Sequence, residues 1–345
     1  MDEIELLTGL LERYSPTGQE AEAAAFLVDA LRADGLDARV DEAGNAVAVA
    51  GEGPLTIMLL GHIDTVPGFI PVTRQGDRLN GRGAVDAKGP LACFAAAARR
   101  VRAHLSGQRL IVVGAVGEEG DSRGARFIKD RYRPDFTIIG EPSGWEKVTL
   151  GYKGSAWFEY QVTRGLAHTS ARAESACEAA VAYWNRVTAW AAARNGANPK
   201  MFEQVSPTLR AMTSSSDGFT ETAQLKFGVR LPPGLAVEEL DTALRGLSEG
   251  AALTLAEGVA AYRGEKNTPL VRAFLAAVRE VGGNPSFTVK SGTSDMNIVA
   301  PAWGTPILAY GPGDSGLDHT PDEHILISEY RRGINVLAAA LLRLR

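Results

Sequence analysis

Three short apolar runs in the first half of the chain each end in a glycine and then in acid or imidazole. Leu55–Leu60 runs into Gly61-His62-Ile63-Asp64, Leu110–Val116 into Gly117-Glu118-Glu119-Gly120, and Phe136–Ile139 into Gly140-Glu141-Pro142. A strand that is apolar without alternation is buried on both faces, and such strands belong to parallel sheets covered by helices. Helical text lies between them, at Leu91–Val101 and Arg123–Arg131. The alternation predicts an α/β domain with a largely parallel sheet. Ahead of it, Ile4, Leu7, Leu11 and Tyr14 mark one helical face, and Ala24, Leu27, Val28 and Leu31 mark a second. Thr17-Gly18-Gln19-Glu20 reads as a capping box for the second helix, with Gly35 as its stop.

The text changes near Gly154. Ala156–Thr163 alternates and is rich in aromatics, a long Ala-rich helix spans Ser175–Arg194, and a second alternating strand covers Thr222–Leu231. Val237–Ser248 is helical and Ala252–Glu257 strand-like. This order suggests a small α+β domain. α/β text resumes with a helix at Pro269–Val281, a strand at Pro306–Tyr310 and a terminal helix at Ser328–Leu342. One core rarely grows beyond about 250–300 residues, so 345 residues suit two domains. The simplest division gives residues 1–153 and 263–345 to the first and inserts 154–262 as the second.

Several function classes are disfavoured. A net charge of −5 is no basis for a general nucleic-acid binder. Cys93 and Cys177 make neither a disulfide framework nor a zinc finger. No run approaches the ~20 apolar residues of a membrane helix. The opening MDEIELL is acidic where a secretory leader is basic. The expectation is a cytoplasmic protein with neither nucleic acid nor membrane as partner.

Ligands in α/β sheets bind at the carboxyl ends of strands. Besides the three ends above, Gly83-Ala84-Val85-Asp86-Ala87-Lys88-Gly89 and Asp318-His319 add acid and imidazole at such positions. Taken singly, each is more commonly a cap, a turn or a solvated pair. Together they supply two imidazoles and three carboxylates, enough for a pair of divalent ions sharing a bridge. Asp64, two residues beyond His62, can orient that imidazole. The pair Glu118-Glu119 offers one ligand and one free base.

Gly61–Pro67 (GHIDTVP), Gly81–Gly89 (GRGAVDAKG), Gly117-Glu118-Glu119, Gly140-Glu141-Pro142 and His319–Glu323 (HTPDE) resemble the M20 metallopeptidase and deacylase family, in order and over essentially the whole chain. The resemblance implies a zinc-peptidase-like catalytic domain with an inserted ferredoxin-like lid and dimerisation domain. It implies that His62 and Glu141 hold one metal, Glu119 and His319 the other, and that Asp86 bridges both. Glu118 would be the general base and Asp64 the orienting carboxylate. His168, in Gly165–Ser170 (GLAHTS), would stabilise the oxyanion at a neighbouring subunit's site in a homodimer. Arg230 and the Gly292-Thr293 pair would contact substrate. Zn²⁺ is the expected ion, with Co²⁺ compatible with the same ligands. His104 and His324 read as spectators.

Within that family, Asp86-Ala87-Lys88-Gly89-Pro90 and Ser291–Asn297 (SGTSDMN) resemble the LysK branch. That likeness implies hydrolysis of the amide that joins lysine, and in some members ornithine, to the γ-glutamyl end of the acidic amino-group carrier protein LysW, in lysine or arginine biosynthesis. Small N-acyl amino acids of the acetylornithine or succinyl-diaminopimelate type, or dipeptides, are the alternative substrates. A docking rim for the carrier would draw on Arg74, Arg78, Arg82, Arg131 and Arg133.

Two rival motifs are weaker. Gly120-Asp121-Ser122-Arg123-Gly124 fits G-x-S-x-G, but Ser122 trails the strand end where an elbow serine belongs. Gly311–Gly316 (GPGDSG) fits G-x-G-x-x-G, but Pro321 falls where a following helix would have its interior.

Overall fold

The computed structural model describes residues 1–168 and 170–345. The chain divides into two compact units, residues 1–151, 264–289 and 294–345 in one, and 152–263 with 290–293 in the other.

In the larger unit a mixed sheet runs, in order, Asp37–Val40, Ala46–Ala50, Gln108–Ala115, Leu55–His62, Phe136–Gly140, Ile307–Ala309 and Lys147–Tyr152, with Ser286–Lys290 paired to the last. The centre is parallel: Gln108–Ala115, Leu55–His62, Phe136–Gly140 and Ile307–Ala309 all point the same way. The flanks are antiparallel, which the apolar runs alone did not announce. Ile57, Met58, Leu59 and Leu60 are fully buried, as strands covered on both faces must be.

The helix Lys88–Val101 packs along this centre, and Leu91 through Ala98 have no exposed surface. Its alanines let it lie close to the sheet. The approach is tightest at the strand ends, where Gly61 is registered beside Gly140. A Cβ on Gly140 would lie 2.9 Å from the Gly61 Cα and 3.0 Å from the Phe94 ring. Both glycines immediately precede candidate ligands, His62 and Glu141, so close packing sets where these side chains emerge. The terminal helix Ile327–Leu341 packs on Lys88–Val101. A small sheet of Thr73–Gln75, Arg78–Asn80 and His324–Leu326 completes this unit.

The capping box expected at Thr17 does not form. The helix Ala21–Ala33 starts after Glu20 without a side-chain cap. The Thr17 hydroxyl instead donates to Asp64 Oδ2 at 2.7 Å, and Glu20 accepts from Arg123. The helix begins at Ala21, three residues later than a cap at Thr17 would place it.

In the smaller unit the described residues form a four-stranded antiparallel sheet, ordered Ser206–Ser216, Thr220–Leu231, Gly154–Gly165 and Ala252–Val259. Burial alternates along Gly154–Gly165, and Phe158, Tyr160, Phe227 and Leu225 meet Tyr183 and Leu240 from the helices Ala176–Asn195 and Val237–Gly246. Tyr160 and Tyr183 stack at 4.0 Å. Among the described residues no helix is long and apolar enough to cross a membrane.

Candidate metal centre

His62 ends its strand fully buried. Its Nδ1 faces the Asp64 backbone carbonyl at 3.0 Å and the Asp64 carboxylate at 3.5 Å. Its Nε2 is thereby aimed at Asp86 Oδ1, 3.2 Å away, with Glu141 Oε1 at 4.0 Å. The other oxygen of Asp86 lies 3.0 Å from His319 Nε2, which also meets Glu119 Oε1 at 2.9 Å. One carboxylate therefore belongs to two donor groups, His62–Asp86–Glu141 and Asp86–Glu119–His319, whose atoms in each case lie within 4.8 Å of one another.

Asp64 is buried and accepts from the Glu118 and Glu119 backbone N–H groups at 3.0 and 3.1 Å as well as from Thr17. It thus fixes both His62 and the loop that carries the acidic pair. His319 adopts a left-handed backbone, φ 61°, a conformation uncommon outside glycine. Such backbone strain clusters at functional sites.

The electrostatics are those of crowded anions. Burial pushes the His62 pKa down, yet its bonds to Asp64 and Asp86 prevail and raise it well above the ordinary histidine value. Bonds to Asp86 and Glu119 raise His319 to about 10. Burial would raise Asp86, but the two imidazoles hold it well below the usual carboxylate range. Loss of solvent around Glu118, with Glu141, Asp295 and Glu119 nearby, raises its pKa well above the carboxylate range against the pull of His62. The carboxylates of Asp86, Glu119 and Glu141 converge here on two imidazoles, with Glu118 beside them, and divalent cations are what such a donor set neutralises. The residues fit two of them: N and O donors in two triads, an Nδ1 anchored by a carbonyl as ligating histidines require, and one shared carboxylate.

Asp295, which sequence reading passed over, is buried beside this cluster. Burial raises it to about 7, with Asp64 adding to the rise and a bond to Ser122 opposing it. The signal for it was present in Ser291–Asn297, a segment read for its Gly-Thr pair and its likeness to one branch of the family, but not for its acid. Ser122 is engaged there, and His319 is taken up by Asp86 and Glu119, which leaves the serine-hydrolase reading without its base. Gly311–Gly316 leads into a single turn, Ser315–Leu317, too short for a phosphate-binding helix. His324 is half-buried and bonds the Asp322 carbonyl, and His104 closes a single turn after the Lys88–Val101 helix.

His168, Arg230, Gly292 and Thr293 belong to the smaller unit. His168 is exposed, its Nδ1 2.8 Å from Ser170 Oγ, and Thr169 of its motif lies outside the described residues. Arg230 donates to Thr293 Oγ1 at 3.3 Å. Of the rim arginines, Arg82 is buried against Glu323 and cannot meet a carrier, whereas Arg74, Arg131 and Arg133 are exposed.

The model of Peptidase family M20/M25/M40 matches residues 58–343, and the chain belongs to that family of C–N hydrolases, which depend on a dinuclear metal centre. It is 47% identical to a [LysW]-lysine hydrolase of Deinococcus radiodurans, over 99% of this chain and 96% of that one. It is 39% identical to a putative [LysW]-lysine/[LysW]-ornithine hydrolase of Thermococcus kodakarensis, over 100% and 92%. Among solved structures, an M20 metallo-carboxypeptidase from Sulfolobus solfataricus superposes with a TM-score of 0.81 at 18% identity, covering 100% of this chain and 99% of that one. A dinuclear metal binding M20 peptidase of Bacillus subtilis gives 0.76 at 13% identity, over 99% and 96%.

Proposed function

We propose that this protein hydrolyses the amide that holds lysine, and secondarily ornithine, on the γ-glutamyl end of an acidic amino-group carrier protein of the LysW type. The observation that carries the chemistry is Asp86, whose two oxygens face different imidazoles. The full-length likeness to the Deinococcus radiodurans hydrolase supports the substrate.

In this reading His62 and Glu141 would hold one cation and Glu119 and His319 the other, with Asp86 a donor to each. When bound, two divalent cations, Zn²⁺ by preference, lower the pKa of a coordinated water and polarise the amide carbonyl. Glu118 takes a proton from the attacking water and returns one to the leaving α-amine as the C–N bond breaks. A carboxyl group suits both halves of that transfer, since its ionised form accepts a proton and its neutral form donates one. Asp64 keeps His62 in orientation. Arg230 recognises the carboxylate of the amino acid released, Gly292 and Thr293 contact the substrate, and His168 stabilises the oxyanion at the neighbouring subunit's site in a homodimer. The exposed edge strand Ser206–Ser216 offers the smaller unit a surface for that association.

The test offers the purified enzyme lysine-loaded carrier, ornithine-loaded carrier, N-acetylornithine and succinyl-diaminopimelate, with and without chelator. Lysine release from the carrier is expected to have the highest kcat/KM and to stop with chelator. A small acyl amino acid turned over better than either carrier would replace the substrate while keeping the chemistry.

A further inference from the structure

Glu323 is a carboxylate buried to 1% exposure that the mechanism leaves unused. Its Oε1 accepts two consecutive backbone N–H groups, from Val85 at 2.9 Å and Asp86 at 3.0 Å. Its Oε2 pairs with Arg82 at 2.7 Å, and Arg82 Nε is fastened to the Gly68 carbonyl. The Glu323 carbonyl accepts from Gly81, and His324–Leu326 then zips antiparallel onto Arg78–Asn80. The segment carrying Asp86 is thus held at its backbone by a side chain four residues beyond His319. Two donors of the Asp86–Glu119–His319 triad meet through this one residue.

A buried carboxylate could serve merely to balance Arg82. One contact on Arg82 would suffice for that. The second oxygen does something different: it takes two successive amides and so fixes the peptide plane from which the Asp86 side chain departs. A site held to within about 0.5 Å needs such support from residues that are themselves locked in place.

We infer that Glu323 is a positioning residue for the cation held by Asp86, Glu119 and His319, because it sets the backbone of Asp86 and ties it to the loop bearing His319. The inference rests on the dinuclear reading proposed above.

The experiment compares two double variants, both without the buried ion pair: Arg82→Met with Glu323→Gln, which retains an oxygen for the two amides, and Arg82→Met with Glu323→Leu, which removes it. Each metal-stripped protein is titrated with Mn²⁺ by calorimetry, and the exchange-coupled signal of a Mn²⁺ pair is followed by electron paramagnetic resonance. Thermal melts of the metal-free proteins check folding. In the leucine variant both equivalents should bind more weakly than in the wild type, since Asp86 serves both, and the second, which also needs the loop bearing His319, some 10–100-fold more weakly, with the coupled signal lost. The glutamine variant should hold both equivalents within about threefold of the wild type and keep the coupled signal, since the partner that orients the ligand is preserved. Equal behaviour of the two variants, whether both retain or both lose the second ion, overturns the inference. If the leucine variant does not fold without metal, Glu323→Ala in the same Arg82→Met background takes its place under the same criteria. A wild-type chain that binds fewer than two equivalents overturns the dinuclear reading and this inference with it.

Discussion

Glu118 and Glu119 are adjacent in the chain, yet the proposed mechanism gives them different work, and their surroundings differ accordingly. Their backbone N–H groups share Asp64, while Glu119 reaches His319 and Glu118 has a raised pKa among other carboxylates. Glu118→Gln keeps the shape and removes the proton carrier. It should lower kcat by about 10²–10⁴-fold, with bound metal, measured by elemental analysis, unchanged. Loss of metal together with activity would move Glu118 among the ligands. That these side chains gather in one place was legible residue by residue, because acid and imidazole placed after apolar strands have few bland explanations in combination. Thr17 was not legible. Its spacing to Glu20 matched a helix cap, but the helix starts only at Ala21, and the Thr17 hydroxyl donates to Asp64, 47 residues away in the chain.

Strand ends carry the candidate ligands, so packing at those ends bears on the proposed function. Gly140 lies against Gly61 and Phe94 with no room for a methyl group. Gly140→Ala should therefore lower the stability of the metal-free protein by about 1–3 kcal/mol, as overpacking does, read from the denaturant midpoint. It should also weaken metal binding, because His62 and Glu141 follow the two glycines directly. A midpoint unchanged from the wild type would show that the strands part without cost. The central strands were legible because burial on both faces leaves an uninterrupted apolar signature. Ser206–Ser216 was not. It is an edge strand with most of its side chains exposed, so its partner Thr220–Leu231 defines it rather than its own pattern. Asp37–Val40 has a single buried residue and escaped for the same reason.

At the scale of the molecule, the insertion of one unit into the other could be read from the change and return of sequence texture. The spatial order of strands could not, since Gln108–Ala115 slips between Ala46–Ala50 and Leu55–His62 although it follows both in the chain. Nor does sequence alone say that Glu119 meets a histidine 200 residues later. That pairing came from the family resemblance, and the fold supplies its physical basis by bringing both loops to Asp86. A carrier protein that approaches through the exposed Arg74, Arg131 and Arg133 should be turned over more slowly as salt rises, while a small acyl-lysine is little affected, because exposed charges are screened over about 10 Å at 0.1 M. Equal salt responses would remove these arginines from the docking surface.

The central claim is that Asp86 is shared by two divalent cations. Anomalous diffraction at the zinc edge, from crystals loaded with Zn²⁺, tests it most directly. The account predicts two peaks, one beside each Asp86 oxygen, the first also touching His62 and Glu141, the second Glu119 and His319. A single peak, or ions bound away from Asp86, would contradict it.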